Sequence, residues 1–159
     1  MPEFSENCLY CVKLINMNTN SATQKRIYKI YQTHIEGEQQ HVVSEPSVMY
    51  ATSFNDMVEV AEYDKDFAAG LLDLSYKTVT RYQKEKKTFS PLQSEYIIKT
   101  ITLFHKGEEV LGNTESFKRW LDKPAFGLGN KIPRNIITTV SGINFVMDEL
   151  NRIERGDLA

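Results

Sequence analysis

The chain has 159 residues, 41% hydrophobic and 25% charged, with a formal net charge of −2. That length suits one compact domain or two very small ones, and the composition excludes collagen-like, disulfide-scaffold and wholly disordered proteins. A slightly acidic balance excludes nucleic-acid binding by bulk charge, and no apolar run approaches the ~20 residues that span a bilayer.

At the N-terminus, Met1-Pro2-Glu3-Phe4 lacks the basic start and apolar stretch of a secretory signal, which points to a cytoplasmic protein. The two cysteines, Cys8 and Cys11, form a C-x-x-C. A structural zinc site takes about four ligands, and His34, His41 and His105 do not fall at finger-like spacing. A redox C-x-x-C would follow a strand in a βαβ setting, which is missing, so two reduced thiols are expected, with no metal and no cofactor. Residues 1–52 form an N-terminal segment that is partly irregular. A short amphipathic helix is predicted near Gln24–Gln32, with Ile27, Ile30 and Tyr31 on one face. The stretch Ile35–Tyr50, interrupted by Pro46, predicts a loop or extended segment.

From Ser53 onward the pattern is helical. Ser53 caps a helix to about Tyr63, with Phe54, Met57, Val58 and Ala61 as its apolar stripe. Asp64 starts the next, which turns Phe67, Ala68, Leu71 and Leu72 inward. Asp73-Leu74-Ser75 is a turn that ends in an N-cap, and a third helix follows from Tyr76 to about Lys86. Ser90-Pro91-Leu92-Gln93 combines capping-box spacing with proline at the first helical position. The helix it opens carries Tyr96, Ile97, Ile98, Ile101 and Phe104 and stops at Gly112. Asn113 or Thr114 caps a helix with Phe117, Trp120 and Leu121, the last two buried against Phe104 and Phe145. Ala125–Lys131 is a loop, and Ile132-Pro133 begins a short turn through Ile137. Ser141 caps the last helix, with Phe145, Val146, Leu150 and Ile153 inward and Gly156 as its C′ residue. Arg152 and Arg155 in its last turn complement the helix dipole.

Two constellations bear on function. The first is Asp64–Glu85, two short helices joined by a tight turn. In a helix-turn-helix the second helix meets the major groove with its N-terminal residues. Short polar donors and basic residues are what phosphates and base edges require there. Ser75, Lys77, Thr78, Arg81 and Lys84 are the candidate DNA-binding residues, and Lys86 and Lys87 extend the positive charge. The same residues also fit a solvated, lysine-rich helix in an ordinary bundle.

The second is an ordered series in the C-terminal half: Ser90-Pro91-Leu92-Gln93, Glu108-Glu109-Val110-Leu111-Gly112, Phe117-Lys118-Arg119-Trp120-Leu121-Asp122-Lys123-Pro124, Phe126-Gly127-Leu128-Gly129-Asn130-Lys131-Ile132-Pro133, and Ser141-Gly142 leading to Arg155-Gly156. Physically these are caps, stops and core positions. As a series it resembles the Xre/MbcA/ParS family of antitoxins over roughly residues 54–156. Leu111 stands where the family usually has phenylalanine, and Ala125 replaces a frequent asparagine.

The resemblance implies an all-α protein: an Xre-like helix-turn-helix bundle, residues 53–89, followed by a small helical toxin-binding domain, residues 90–159. It implies a RES-domain toxin that destroys NAD as partner, operator DNA bound for autorepression, and a homodimer. For toxin contact the end of the last helix and the tail are favoured: Asn151, Arg152, Arg155, Gly156 and Asp157. A chain end enters a cleft more readily than a bundle face, and Asp157 or the carboxylate of Ala159 could face the basic groups of a pyrophosphate site.

No catalytic residues are expected. No Ser-His-Asp or Cys-His set stands on a plausible scaffold, Gly127-Leu128-Gly129 lacks the strand that precedes a dinucleotide fingerprint, and adjacent carboxylates such as Glu108-Glu109 diverge on a helix. The alternative is a stand-alone helix-turn-helix transcription regulator without a toxin partner; the acidic net charge favours the antitoxin.

Overall fold

The computed structural model describes residues 48–157. The predicted helix at Gln24–Gln32, both cysteines and Ala159 lie outside the described residues. Those described fold as an all-α protein of seven helices. Isolated bridges at Tyr50–Thr88 and Ala125–Lys131 are the extended pairings among them.

Helix α1 spans Ser53–Ala61 and buries Phe54, Met57 and Ala61. Ser53 is its first helical residue and not its cap: Thr52 holds the N-cap position without a side-chain bond. The chain leaves α1 through Glu62 in the left-handed region. Asp64 then caps α2, Lys65–Gly70, with its carboxylate accepting from the N–H groups of Asp66 and Phe67. Ala68, Ala69 and Leu72 turn inward here, while Phe67, expected in the core, is exposed. A six-residue helix has one narrow buried stripe, and the adjacent small alanines occupy it. The turn passes through Asp73 at φ 55° to Ser75, which caps α3, Tyr76–Lys84. Lys86, expected inside α3, lies beyond it in the left-handed region.

Helix α4, Pro91–Leu111, organises the molecule. Its capping box is complete: Ser90 Oγ accepts from the N–H of Gln93, and Gln93 Oε1 accepts from the N–H of Ser90. It buries residues almost all the way round, from Ser94 to Gly107, as a helix enclosed by neighbours does. Those neighbours are α1, α5 (Thr114–Leu121) and α7 (Val140–Glu154). Asn113 caps α5 by accepting from the N–H of Ser116. Between α5 and α7 lie a 3₁₀ turn, Phe126–Leu128, and the short α6, Pro133–Ile136, with proline at its first position.

The core is continuous across both halves, from Ala51 and Phe54 through Ile97 and Ile101 to Val146 and Leu150. Phe117 sits within it, edge-on to Phe104 at 5.1 Å and stacked on Trp120 at 6.0 Å. Gly107 makes this possible, because a Cβ there would strike the Phe117 ring. Phe117 therefore takes the place foreseen for Trp120, which is only half-buried, and Phe145, expected beneath it, is exposed.

Candidate functional site

Two regions hold the residues singled out from the sequence. The first is α3 with the turn before it. Ser75 Oγ accepts from the N–H of Thr78 at 3.2 Å and shares a hydrogen bond with Thr78 Oγ1 at 2.9 Å. Both hydroxyls are therefore engaged in starting the helix. Lys77, Arg81 and Lys84 are exposed and follow at i, i+4 and i+7, which lines them along one face. Val79 on the opposite side is fully buried. Gln83 anchors the helix by donating to the carbonyl of Ala51 and to Asn55 Oδ1. Gln93 Nε2 donates to the carbonyl of Leu72, tying the turn to α4.

The basic patch beyond α3 is less free than its composition implies. Lys87 pairs with Glu85 at 2.6 Å and lies over the Tyr82 ring. That hydrogen bond from Lys87 holds the Glu85 carboxyl below its ordinary pKa. Lys65 adds a cation near the start of α3, 5.6 Å from the centre of the Tyr76 ring. The sequence reading missed it because Lys65 belongs to α2.

The second region is the end of α7. Thr139, not Ser141, caps this helix, accepting from the N–H of Gly142 at 3.1 Å. Thr139 and Ser141 both suit a cap, and periodicity alone did not choose between them. At the other end the N–H of Gly156 bonds to the carbonyl of Ile153, and the N–H of Asp157 to the carbonyl of Arg152, both at 3.0 Å. This is a Schellman closure, and Gly156 supplies its left-handed residue at φ 76°. Arg155 and Asp157 are exposed and face each other at 3.3 Å. Arg152, partly exposed, donates to Glu149 Oε2 at 3.1 Å. Asn151 is half-buried. The five residues thus share one end of the helix, two of the side chains in an exposed ion pair and a third anchored on Glu149.

Glu149 is 8% exposed, and the 3₁₀ turn lies directly on it: a Cβ on Gly127 would strike its carboxylate. That contact joins the loop between α5 and α7 to the surface of α7. Phe126, on this loop, is 76% exposed, and Phe145, one turn before Glu149, is 49% exposed. From sequence alone Phe126 is a loop residue and Phe145 is expected inward, yet both are exposed. A signal was present: Ile143, Val146, Leu150 and Ile153 form a stripe from which Phe145 is offset by about 80° or more at 100° per residue.

Charge pairs also pin the helices of this half to one another. Arg134 on α6 grips Asp122 after α5 with two donors, Nη2 at 3.1 Å and Nε closer. The guanidinium holds the Asp122 carboxyl below its ordinary pKa. Lys106 on α4 pairs with Glu154 on α7 at 2.7 Å. Among the described residues no three His, Cys, Asp or Glu side chains gather as a metal site would require. No helix among them is long and apolar enough to cross a membrane.

Residues 106–156 match the family model described as the antitoxin Xre/MbcA/ParS C-terminal toxin-binding domain. The similarity to that antitoxin domain covers about a third of the chain. No curated protein matches the chain. The matched segment begins inside α4 and ends at the glycine that closes α7, so it includes the loop with Phe126, all of α7, and the Glu149–Arg152 pair. Helices α1 to α3 lie outside the matched residues.

Proposed function

We propose that this chain is the antitoxin of a type II toxin–antitoxin pair, that its partner is a RES-type toxin that degrades NAD, and that it acts without catalysis, by occupying the toxin. The observation that carries the reading is the match of residues 106–156 to an antitoxin toxin-binding domain. The end of α7 supports a plugging mode. Asn151, Arg152, Arg155, Gly156 and Asp157 meet at the last turn of a helix fixed by its Schellman closure and by Lys106–Glu154. An NAD cleft that binds pyrophosphate with basic groups would receive Asp157 as acceptor, with the arginines meeting acidic or carbonyl groups at its rim.

The second activity in the proposal is operator binding. The α2–turn–α3 unit serves as the helix-turn-helix, residues 53–89 as the DNA-binding region and residues 90–159 as the toxin-binding one. Lys77, Arg81 and Lys84 supply the phosphate contacts, and Ser75 and Thr78 stand at the groove end of α3. A homodimer would present two such helices to a two-fold operator.

The test is co-expression with the protein encoded beside this chain. Growth arrest by the neighbour alone, relief by this chain and co-elution of the two are expected. A harmless neighbour that does not co-elute overturns the antitoxin reading and leaves a stand-alone helix-turn-helix regulator. Arg155→Ala and Asp157→Asn test the plug; full neutralisation by the double variant counts against it.

A further inference from the structure

We propose that Phe126 and Phe145 are the apolar anchors of the toxin interface, grouped around the Glu149–Arg152 pair; this rests on the antitoxin reading above. Among the described residues the exposed large hydrophobics are Val48, Tyr50, Phe67, Leu92, Phe126 and Phe145. Only the last two fall within the toxin-binding domain, residues 106–156. The fold also places each of them near Glu149. Phe145 stands one helical turn before Glu149, and Phe126 adjoins Gly127, which rests on the Glu149 carboxylate.

Phe126 is presented on a fixed loop. The N–H of Ala125 bonds to the carbonyl of Lys131, and the N–H of Asn130 to that of Ala125, both at 3.0 Å. Leu128 plugs the loop into the core. A rigid aromatic side chain loses little freedom when a partner covers it, and aromatic residues dominate the energetics of protein interfaces. Asn144, Asp148 and Arg152 supply a polar rim on the same stretch of α7. The occupant is therefore the toxin, contacting this surface through an apolar recess edged by hydrogen-bonding groups. The surface is continuous with the end of α7 through Arg152. The aromatic pair supplies affinity, and the helix end reaches the cleft.

The test measures binding of the purified neighbouring-gene protein to the full chain by calorimetry. The variants are Phe126→Ser, Phe145→Ser and both together, with Phe67→Ser and Leu92→Ser as controls. The controls remove side chains that are 51% and 68% exposed but lie outside residues 106–156. Unchanged helical circular dichroism and thermal melts establish that each variant folds. The expected result is a loss of tenfold or more for each Phe126 and Phe145 variant, with the controls within about twofold of the parent. A double variant that binds as the parent does, or controls that lose as much, overturns the anchors and leaves the antitoxin reading standing. A change confined to self-association overturns them in favour of a second copy of this chain. A parent that binds nothing overturns the antitoxin reading itself and the anchors with it.

Discussion

Gly107 lies inside α4, where alanine would favour the helix by about 1 kcal/mol. Its neighbour decides the sign the other way. A Cβ there enters the ring of Phe117, a fully buried side chain held by Phe104 and Trp120, and overpacking of this kind costs about 1–3 kcal/mol. Gly107→Ala should therefore destabilise the protein by roughly 1–2 kcal/mol in urea titrations; a more stable variant would contradict the described packing. Tyr96 carries a second residue-scale consequence. Its hydroxyl donates to the carbonyl of Ile137 at 2.9 Å, and burial pushes the phenol up to about 12 from an ordinary 10.0. The folded state keeps this proton while the unfolded chain releases it. The associated stability is present below pH 10 and lost as pH rises through about 12. Burial raises the Tyr63 phenol in the same direction. Denaturant titrations should show stability falling above pH 10. Tyr96→Phe should flatten that slope, while costing about 1 kcal/mol at neutral pH through the orphaned carbonyl.

Helix boundaries were legible wherever a local group satisfies a terminal N–H or carbonyl. Asp64, Ser75, Ser90 with Gln93, Asn113, Gly112 and Gly156 all act where short-range chemistry places them. Two caps were assigned to the wrong residue, Ser53 and Ser141, because serine or threonine stands within two positions in each case. Which apolar residues face inward was less legible. Phe67 and Phe145 have the hydrophobicity of core residues, but the interior is filled from smaller or differently phased neighbours, Ala68 and Ala69 in one case and Ile143 and Val146 in the other. The surface around Glu149 could not be read locally at all, since it depends on Gly127 meeting a side chain 22 residues away. For α3 the basic face was legible in the sequence, and Lys77, Arg81 and Lys84 on it are exposed. Lys84→Ala should weaken operator binding about equally across sequences and lower the salt slope by about one, read from binding at several ionic strengths. An unchanged slope would remove Lys84 from the phosphate contacts.

At the scale of the molecule, α4 is shared. Its N-terminal half meets the chain at Met49 through Ser94, and its sides pack on α1, α5 and α7. A fragment beginning at Ser90 would keep the matched domain yet expose the side of α4 that α1 covers. It should lose its cooperative thermal transition and bind a hydrophobic dye, as loosely packed helical states do. A fragment that melts as sharply as the whole chain would mean that the two regions fold independently. The shared core also gives the proposed activities a physical link, because a partner that stabilises α7 acts on α4, which holds the turn before α3 through Gln93. The most direct measurement is a titration of the neighbouring-gene protein with this chain while NAD consumption is followed. NAD loss should fall in proportion to added chain and stop at a fixed stoichiometry. A partner that consumes no NAD, or one whose NAD consumption continues undiminished in excess of this chain, would contradict the proposed function.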